Sequence, residues 1–165
     1  MHQLMGVVLE AEDHEDANGQ AQEFIQQLSK AYPIIDYGSV NDIEPKYDNA
    51  DTYIITSELG KALVKRLLTY TKDDLFKSLD AVRQGLDVMT NDQFWTKGGH
   101  DYNQDSPTFL IGYELHNAGA YGGPGIRLYD ESYSGTEGIR SKDHYTNAKK
   151  YWNDNYWIVG FDVHY

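Results

Sequence analysis

The sequence predicts a single α+β domain over residues 1–165, in which helices pack on one face of a largely antiparallel sheet. Segments with the two-residue apolar period of strands occur near both ends of the chain and in its middle, and segments with helical spacing lie between them. The strands and helices do not alternate regularly, which argues against a parallel sheet. A chain of 165 residues is also long enough to bury a core without disulfide bonds or structural metal.

The first third of the chain predicts a strand, a helix and two further strands. Residues 5–11 have the apolar content of a central strand. Asp13 is placed to cap a helix whose apolar spacing continues to Ala31. Further strands are predicted over 32–40 and 51–56. This order favours a ferredoxin-like β-α-β start.

The middle of the chain predicts two consecutive helices followed by strands. One helix begins at Ser57, and Thr71 is placed to cap a second helix that ends at Gly85, so that the pair forms either a helical hairpin or one bent element. A short strand is predicted within 86–96, where aromatic residues are concentrated. A longer strand with clear alternation is predicted over 108–116.

A glycine-rich connection follows this longer strand, and we expect the rest of the chain to converge on the stretch 107–130. The glycines are not followed by a Lys-Ser/Thr pair, and a strand over 126–129 comes next, so a hairpin connection is favoured over a phosphate-binding loop. Ser141 is placed to cap the last helix. The final strand, which has the clearest alternation in the chain, covers 155–165.

The net charge is −12, and most of it lies at the front of the chain, where residues 1–59 contain twelve acidic and two basic residues. Such a field repels nucleic acid and anionic lipid and attracts basic protein surfaces. The alternative is a surface that only keeps the protein in solution. The carboxylates predicted to contact a basic partner are Glu12, Asp13, Glu15, Asp16, Asp42, Glu44 and Asp48.

Tyrosine is abundant, with 14 residues, and several of these lie around the glycine-rich connection. Tyrosine supplies a large contact area at low entropic cost, together with a hydroxyl group for polar partners. We therefore predict that Tyr113, Tyr121 and Tyr129 add aromatic contacts to the acidic binding surface. The alternative is that they are scattered surface aromatics.

Two predicted strands end in an acidic residue followed two positions later by histidine, namely Glu114 with His116 and Asp162 with His164. Residues two apart on a strand share a face. If the two strands are neighbours, these four side chains form a site suited to zinc, manganese or iron. The competing interpretation is that they are polar strand ends. A calcium loop within 42–51 is disfavoured because the segment lacks the central Gly and terminal Glu of that motif.

The leading functional hypothesis is a non-enzymatic acidic binding protein that blocks a basic surface of a partner, as inhibitors, nucleic-acid mimics and immunity proteins do. The expected partner is a nucleic-acid-binding or defence protein, and the expected source is a phage or mobile element. The alternatives are a metal-dependent hydrolase that uses the Glu/His/Asp/His set, and a binder of a nucleotide or another small anion near Arg127 and Arg140.

The chain contains no cysteine, which excludes disulfides, thiolate metal sites and cysteine nucleophiles. It does not begin with a basic segment followed by an apolar one, as a signal peptide does. Nor does it contain an apolar run of about 18 to 20 residues. We therefore expect a cytoplasmic protein that has no direct contact with membrane or nucleic acid, and the leading hypothesis requires no cofactor.

Overall fold

The computed structural model describes residues 2–32, 35, 37–40, 43–47, 50–97 and 126–164. The chain divides into two compact units. The first contains residues 1–71 and 126–165, and the second contains residues 72–125. All strands of the described residues belong to the first unit.

The five strands are β1 (His2–Glu10), β2 (Tyr37–Ser39), β3 (Thr52–Ile54), β4 (Leu128–Asp130) and β5 (Tyr156–His164). The helices are α1 (His14–Ala31), α2 (Glu58–Val88), α3 (Asn91–Lys97) and α4 (Lys142–Ala148). Short 3-10 turns cover Pro45–Tyr47, Gly135–Glu137 and Lys149–Tyr151.

The sheet is mixed but mostly antiparallel, and the α+β class is confirmed. Its order is β2-β5-β1-β4, with β3 also paired to β5. Strands β1 and β5 are antiparallel along their whole length, from His2 opposite His164 to Glu10 opposite Tyr156. β2 and β3 are both antiparallel to β5, and β4 is parallel to β1. β1 and β2 therefore run in the same direction with β5 between them, which is the split β-α-β arrangement predicted for the start of the chain.

Both faces of the sheet are buried. On one face, Met5 and Val7 of β1 belong to the same apolar cluster as Phe24 of α1. On the other face, Leu4 of β1 belongs to a cluster with Leu67 of α2 and Ala148 of α4. Helices therefore cover both faces, whereas the sequence predicted them on one. The reason is that β1 has no polar face, since every residue from Gln3 to Leu9 is buried.

Helix α1 forms as the sequence predicts. Asp13 is its N-cap, and its side chain accepts a hydrogen bond from the backbone N–H of Asp16. The residues that α1 buries recur at helical spacing: Ala17, Ala21, Phe24, Ile25 and Leu28. These contacts fix the start of α1 beside the end of β1, which places the acidic residues of its first turn there.

Two predictions for the middle of the chain are wrong. Thr71 does not start a new helix, because its Oγ1 donates to the carbonyl of Leu67 (3.1 Å) and accepts from the backbone N–H of Arg127 (2.9 Å). A single helix, α2, therefore runs through Thr71 and includes Gly85, so the pair forms one element rather than a helical hairpin. The stretch 86–96 is helical at the end of α2 and in α3, with Trp95 85% exposed. The predicted strand over 108–116 and its glycine-rich connection lie outside the described residues.

The end of the chain agrees with the sequence pattern. Ser141 caps α4 by accepting a hydrogen bond from the backbone N–H of His144. β5 is a nine-residue strand that is buried from Ile158 to Val163. In the described part of the chain, no helix is both long enough and apolar enough to cross a membrane.

Candidate functional site

An open cleft of about 600 Å³ lies where β1 ends, α1 begins and β5 begins. Because β1 and β5 are antiparallel neighbours, the end of one strand adjoins the start of the other. The residues that line this acidic cleft are Glu10, Ala11, Glu12, Asp16, Gln20, Ile54, Asp154, Asn155 and Trp157.

Hydrogen bonds order the carboxylates at the start of α1. Asp16 accepts from the backbone N–H of Glu12 (3.0 Å) and from the side-chain amide of Gln20 (2.9 Å). These two bonds, the one from the Glu12 N–H first, lower the pKa of Asp16 below its ordinary value. Asp13 accepts from the backbone N–H of Asp16 at 2.9 Å. The carboxylates of Asp13 and Asp16 therefore stabilise the start of the helix.

Other carboxylates of the acidic cleft are exposed. Glu10, Glu12 and Asp154 all have high solvent accessibility. Asp154 also accepts a hydrogen bond from the hydroxyl of Thr56, which fixes its position. The lining contains four acidic side chains and no lysine, arginine or histidine. The cleft therefore has an excess of negative charge that its own residues do not neutralise.

The remaining wall of the acidic cleft is apolar. Trp157 is half-buried, and its indole N–H donates to the carbonyl of Ala11 at 3.2 Å. The ring of His14 meets the Trp157 ring in an edge-on arrangement, with 6.3 Å between centroids. Ile54 is 37% exposed at the same cleft. The indole is thus held in one orientation beside the carboxylates.

This combination of groups is chemically suited to binding a cation. A lysine or arginine side chain gains ion pairs with carboxylates and apolar or cation–π contact with an indole ring. The wide opening suits a side chain presented on a protein surface better than a small molecule that must be enclosed.

The predicted acidic residues divide into three groups. Glu12 and Asp16 line the acidic cleft, and the exposed Asp13 and Glu15 lie at the same helix start. Glu44 lies elsewhere and forms an ion pair with Lys46 at 2.5 Å. Asp42 and Asp48 fall outside the described residues. The sequence interpretation missed Glu10 and Asp154, because each is a lone acidic residue at a strand end that only the strand register brings to the cleft.

The prediction that Tyr129 belongs to a binding surface is wrong. Its side chain is 2% exposed, its hydroxyl donates to the carbonyl of Ile126, and its ring packs against Phe24 with 5.5 Å between centroids. The cause is the position of β4 beside β1, with α1 on the same face. Tyr113 and Tyr121 lie outside the described residues.

The predicted metal ligands are described in part. Glu114 and His116 lie outside the described residues. Asp162 and His164 share a face of β5, as the sequence predicted, with Asp162 buried and His164 partly buried.

The two arginines of the predicted anion site have partners of their own. The guanidinium of Arg127 lies over the ring of Tyr70 (5.8 Å), and its Nη1 is 3.5 Å from the carbonyl of Leu4. Arg140 forms an ion pair with Glu137 at 3.2 Å. These contacts do not support an anion site at Arg127 and Arg140.

The fold and the acidic cleft define this chain as an acidic α+β protein with a concave surface, within its described residues, that carries carboxylates and an indole ring. The chain belongs to the family described as Domain of unknown function (DUF7995), whose model matches residues 1–165. Neither a curated protein nor a solved structure matches the chain. Its function is therefore inferred from the residues themselves.

Proposed function

We propose that this protein is an acidic binding protein that occupies and blocks a basic surface of another protein. The observation that supports this proposal is the acidic cleft, in which four carboxylates and an indole ring line one opening without any basic residue. The partner proposed is a nucleic-acid-binding or defence protein, whose basic surface an acidic inhibitor can cover.

Long-range electrostatics favours this function. A chain with a net charge of −12 attracts a basic partner before contact and speeds association at low salt. The charge is concentrated in residues 1–59, which provide Glu10, Glu12 and Asp16 of the cleft. The same field disfavours direct binding of nucleic acid.

The arrangement of the cleft favours specific binding over simple solubility. The exposed carboxylates of Glu10, Glu12 and Asp154 stand beside the fixed indole of Trp157. Rigid aromatic anchors with surrounding charge are typical of the small group of residues that dominates binding energy at interfaces. A surface that only promotes solubility requires no such grouping.

The test is a comparison of two variants that have the same net charge. The cleft variant carries Glu10→Gln, Glu12→Gln and Asp154→Asn. The control variant carries Glu23→Gln, Asp73→Asn and Asp87→Asn, three exposed residues that do not line the cleft. Each protein is used to capture partners at about 50 mM and about 500 mM salt, and the affinity of each purified partner is then measured.

We expect the wild type and the control variant to bind a basic partner in a salt-sensitive manner, and the cleft variant to bind it at least about tenfold more weakly. Equal weakening in both variants would show that overall charge matters and that the cleft is not the binding site. A partner with an acidic or neutral surface, or no partner at all, would refute the proposal.

A further inference from the structure

A second group of polar side chains lies at the opposite end of the β1–β5 pair from the acidic cleft. His2 starts β1, and Asp162 is two residues before the end of β5. His2 lies opposite His164, and Leu4 lies opposite Asp162, so these side chains face the same side of the sheet. Glu44, which precedes the 3-10 turn at Pro45–Tyr47, completes the group.

His2, Glu44 and Asp162 are close enough to share one ion. The Nδ1 atom of His2 is 2.6 Å from Oδ2 of Asp162 and 3.7 Å from Oε1 of Glu44. The candidate ligand atoms of the three residues all lie within 4.8 Å of one another. We call these three residues the His2 cluster.

Asp162 provides an independent indication of a missing ligand. Its side chain is only 4% exposed, yet its Oδ1 atom has no hydrogen-bond partner among the described residues. A buried carboxylate oxygen without a partner is costly, and native structures leave few such atoms. The hydrogen bond with His2 satisfies only Oδ2 of the carboxylate. A cation bound at this position would provide a partner for Oδ1.

Neighbouring residues orient the His2 cluster. Lys46 bonds Oε2 of Glu44 at 2.5 Å, which leaves Oε1 as the oxygen nearest His2. This hydrogen bond is also the main reason why the pKa of Glu44 is lowered, so that Glu44 remains ionised. The ring of His164 packs edge-on against that of His2, with 5.0 Å between centroids. Outer contacts of this kind commonly fix metal ligands.

We propose that His2, Glu44 and Asp162 bind a divalent transition-metal ion, with Zn²⁺ as the expected occupant and Mn²⁺ or Co²⁺ as substitutes. One imidazole nitrogen and two carboxylate oxygens form a ligand set suited to these ions, with the remaining positions open to water. Binding of the ion replaces the hydrogen bond between His2 and Asp162, because metal ligands must be deprotonated. It joins the start of β1, the end of β5 and the segment that carries Glu44.

The site shares no residue with the acidic cleft, so it can be tested separately from the proposed function. The protein is purified without a polyhistidine tag, treated with EDTA and dialysed, and then titrated calorimetrically with Zn²⁺ and with Co²⁺. The variants are His2→Ala and Glu44→Gln, which alter partly exposed residues. The matched control is His14→Ala, which removes an exposed imidazole at the start of α1.

We expect the wild type and His14→Ala to bind about one Zn²⁺ per chain with micromolar or tighter affinity. We expect His2→Ala and Glu44→Gln to bind at least about tenfold more weakly. Co²⁺ should give a visible absorption band in the wild type that is lost in His2→Ala. Failure of the wild type to bind stoichiometric metal would overturn the proposal, and so would unchanged affinity in His2→Ala and Glu44→Gln.

Discussion

The two ends of the β1–β5 pair carry the same type of group in opposite environments. At one end, the carboxylates of the acidic cleft are largely exposed and have no basic residue beside them in the lining. At the other end, Asp162 of the His2 cluster is buried against a histidine. The two ends are about 27 Å apart, because nine-residue strands rise by about 3.4 Å per residue.

This difference in burial determines what each end can do. An exposed carboxylate remains hydrated and ionised, so it can bind a partner while costing the fold little free energy. A buried carboxylate has lost that water and requires a cation or hydrogen-bond donors in its place. The cleft is therefore suited to association, and the His2 cluster to holding an ion within the fold.

The largest predicted effect is at Gly160, midway along β5 between the two ends. A Cβ atom there would lie 2.7 Å from the carbonyl oxygen of Ala50, which is backbone and cannot rotate away. We expect Gly160→Ala to lower the free energy of unfolding by about 3 kcal/mol. Urea denaturation measures this change.

The matched control for this prediction is Gly19→Ala in α1. A Cβ atom at Gly19 meets nothing within 4 Å, and alanine is the better helix former. Gly19→Ala should therefore raise the free energy of unfolding by about 0.5 kcal/mol. Equal, small effects at both positions would show that the segment around Ala50 is not held against β5.

The next largest change in the free energy of unfolding distinguishes the His2 cluster from the acidic cleft. Asp162→Asn removes the charged partner of His2 and should lower the free energy of unfolding of metal-free protein by about 2 kcal/mol. Glu12→Gln, at an exposed position of the acidic cleft, should change it by less than about 0.5 kcal/mol. Urea denaturation in the presence of EDTA measures both. A larger loss for Glu12→Gln would contradict the assignment of the cleft to binding.

A smaller change in the free energy of unfolding is expected for the acidic residues at the start of α1, and it should differ between them. Asp13→Ala removes the N-cap and should cost about 1 kcal/mol. Glu15→Ala changes an exposed residue that makes no cap bond and should cost less than about 0.5 kcal/mol. Thermal unfolding of the two variants provides the comparison. Equal losses would mean that the cap contributes no more than the general charge of the first turn.

The smallest effect concerns pH. The pKa of Asp16 is lowered in the folded state, chiefly by the hydrogen bond from the Glu12 N–H, so the unfolded state binds protons more readily. The ionised Asp16 carboxylate therefore adds to the free energy of unfolding above its ordinary pKa of about 3.8. This stabilisation is lost as pH falls through the lower pKa of the folded state. The difference in urea midpoint between wild type and Asp16→Asn should narrow from about pH 7 to about pH 3. A constant difference would contradict this role.

The sequence predicted those elements whose signals are local. The cap at Asp13, the cap at Ser141 and the alternation of β5 all depend on residues within a few positions of one another. The predicted helix start at Thr71 is wrong because the Thr71 hydroxyl accepts a hydrogen bond from the backbone N–H of Arg127, which is distant in the sequence. A residue type typical of helix caps therefore makes a tertiary contact instead. The stretch 86–96 was misread because Trp95 has an aromatic side chain typical of strands but lies exposed on a helix.

The candidate sites were predicted less completely, for a related reason. Glu12 and Asp16 were identifiable from the acidic first turn of α1, but Asp154 joins them only through the pairing of β1 with β5. His2 lacks a local signal, because its partner Asp162 is 160 residues away. The sequence interpretation included Asp162 among the metal ligands, and the pairing of β5 with β1 places it beside His2, a ligand that the sequence did not indicate.

The position of Trp157 has a spectroscopic consequence. Its indole ring lines the acidic cleft, so a basic side chain that enters will change the polarity around the fluorophore and shift its emission. The indole of Trp152 donates to the buried Asp130 at 2.7 Å, away from the cleft lining. Trp95 is 85% exposed, so we expect it to emit as tryptophan does in water. Replacing Trp95 by phenylalanine removes that background. Under the proposed function, Trp157 should therefore act as a fluorescent reporter for occupancy of the cleft.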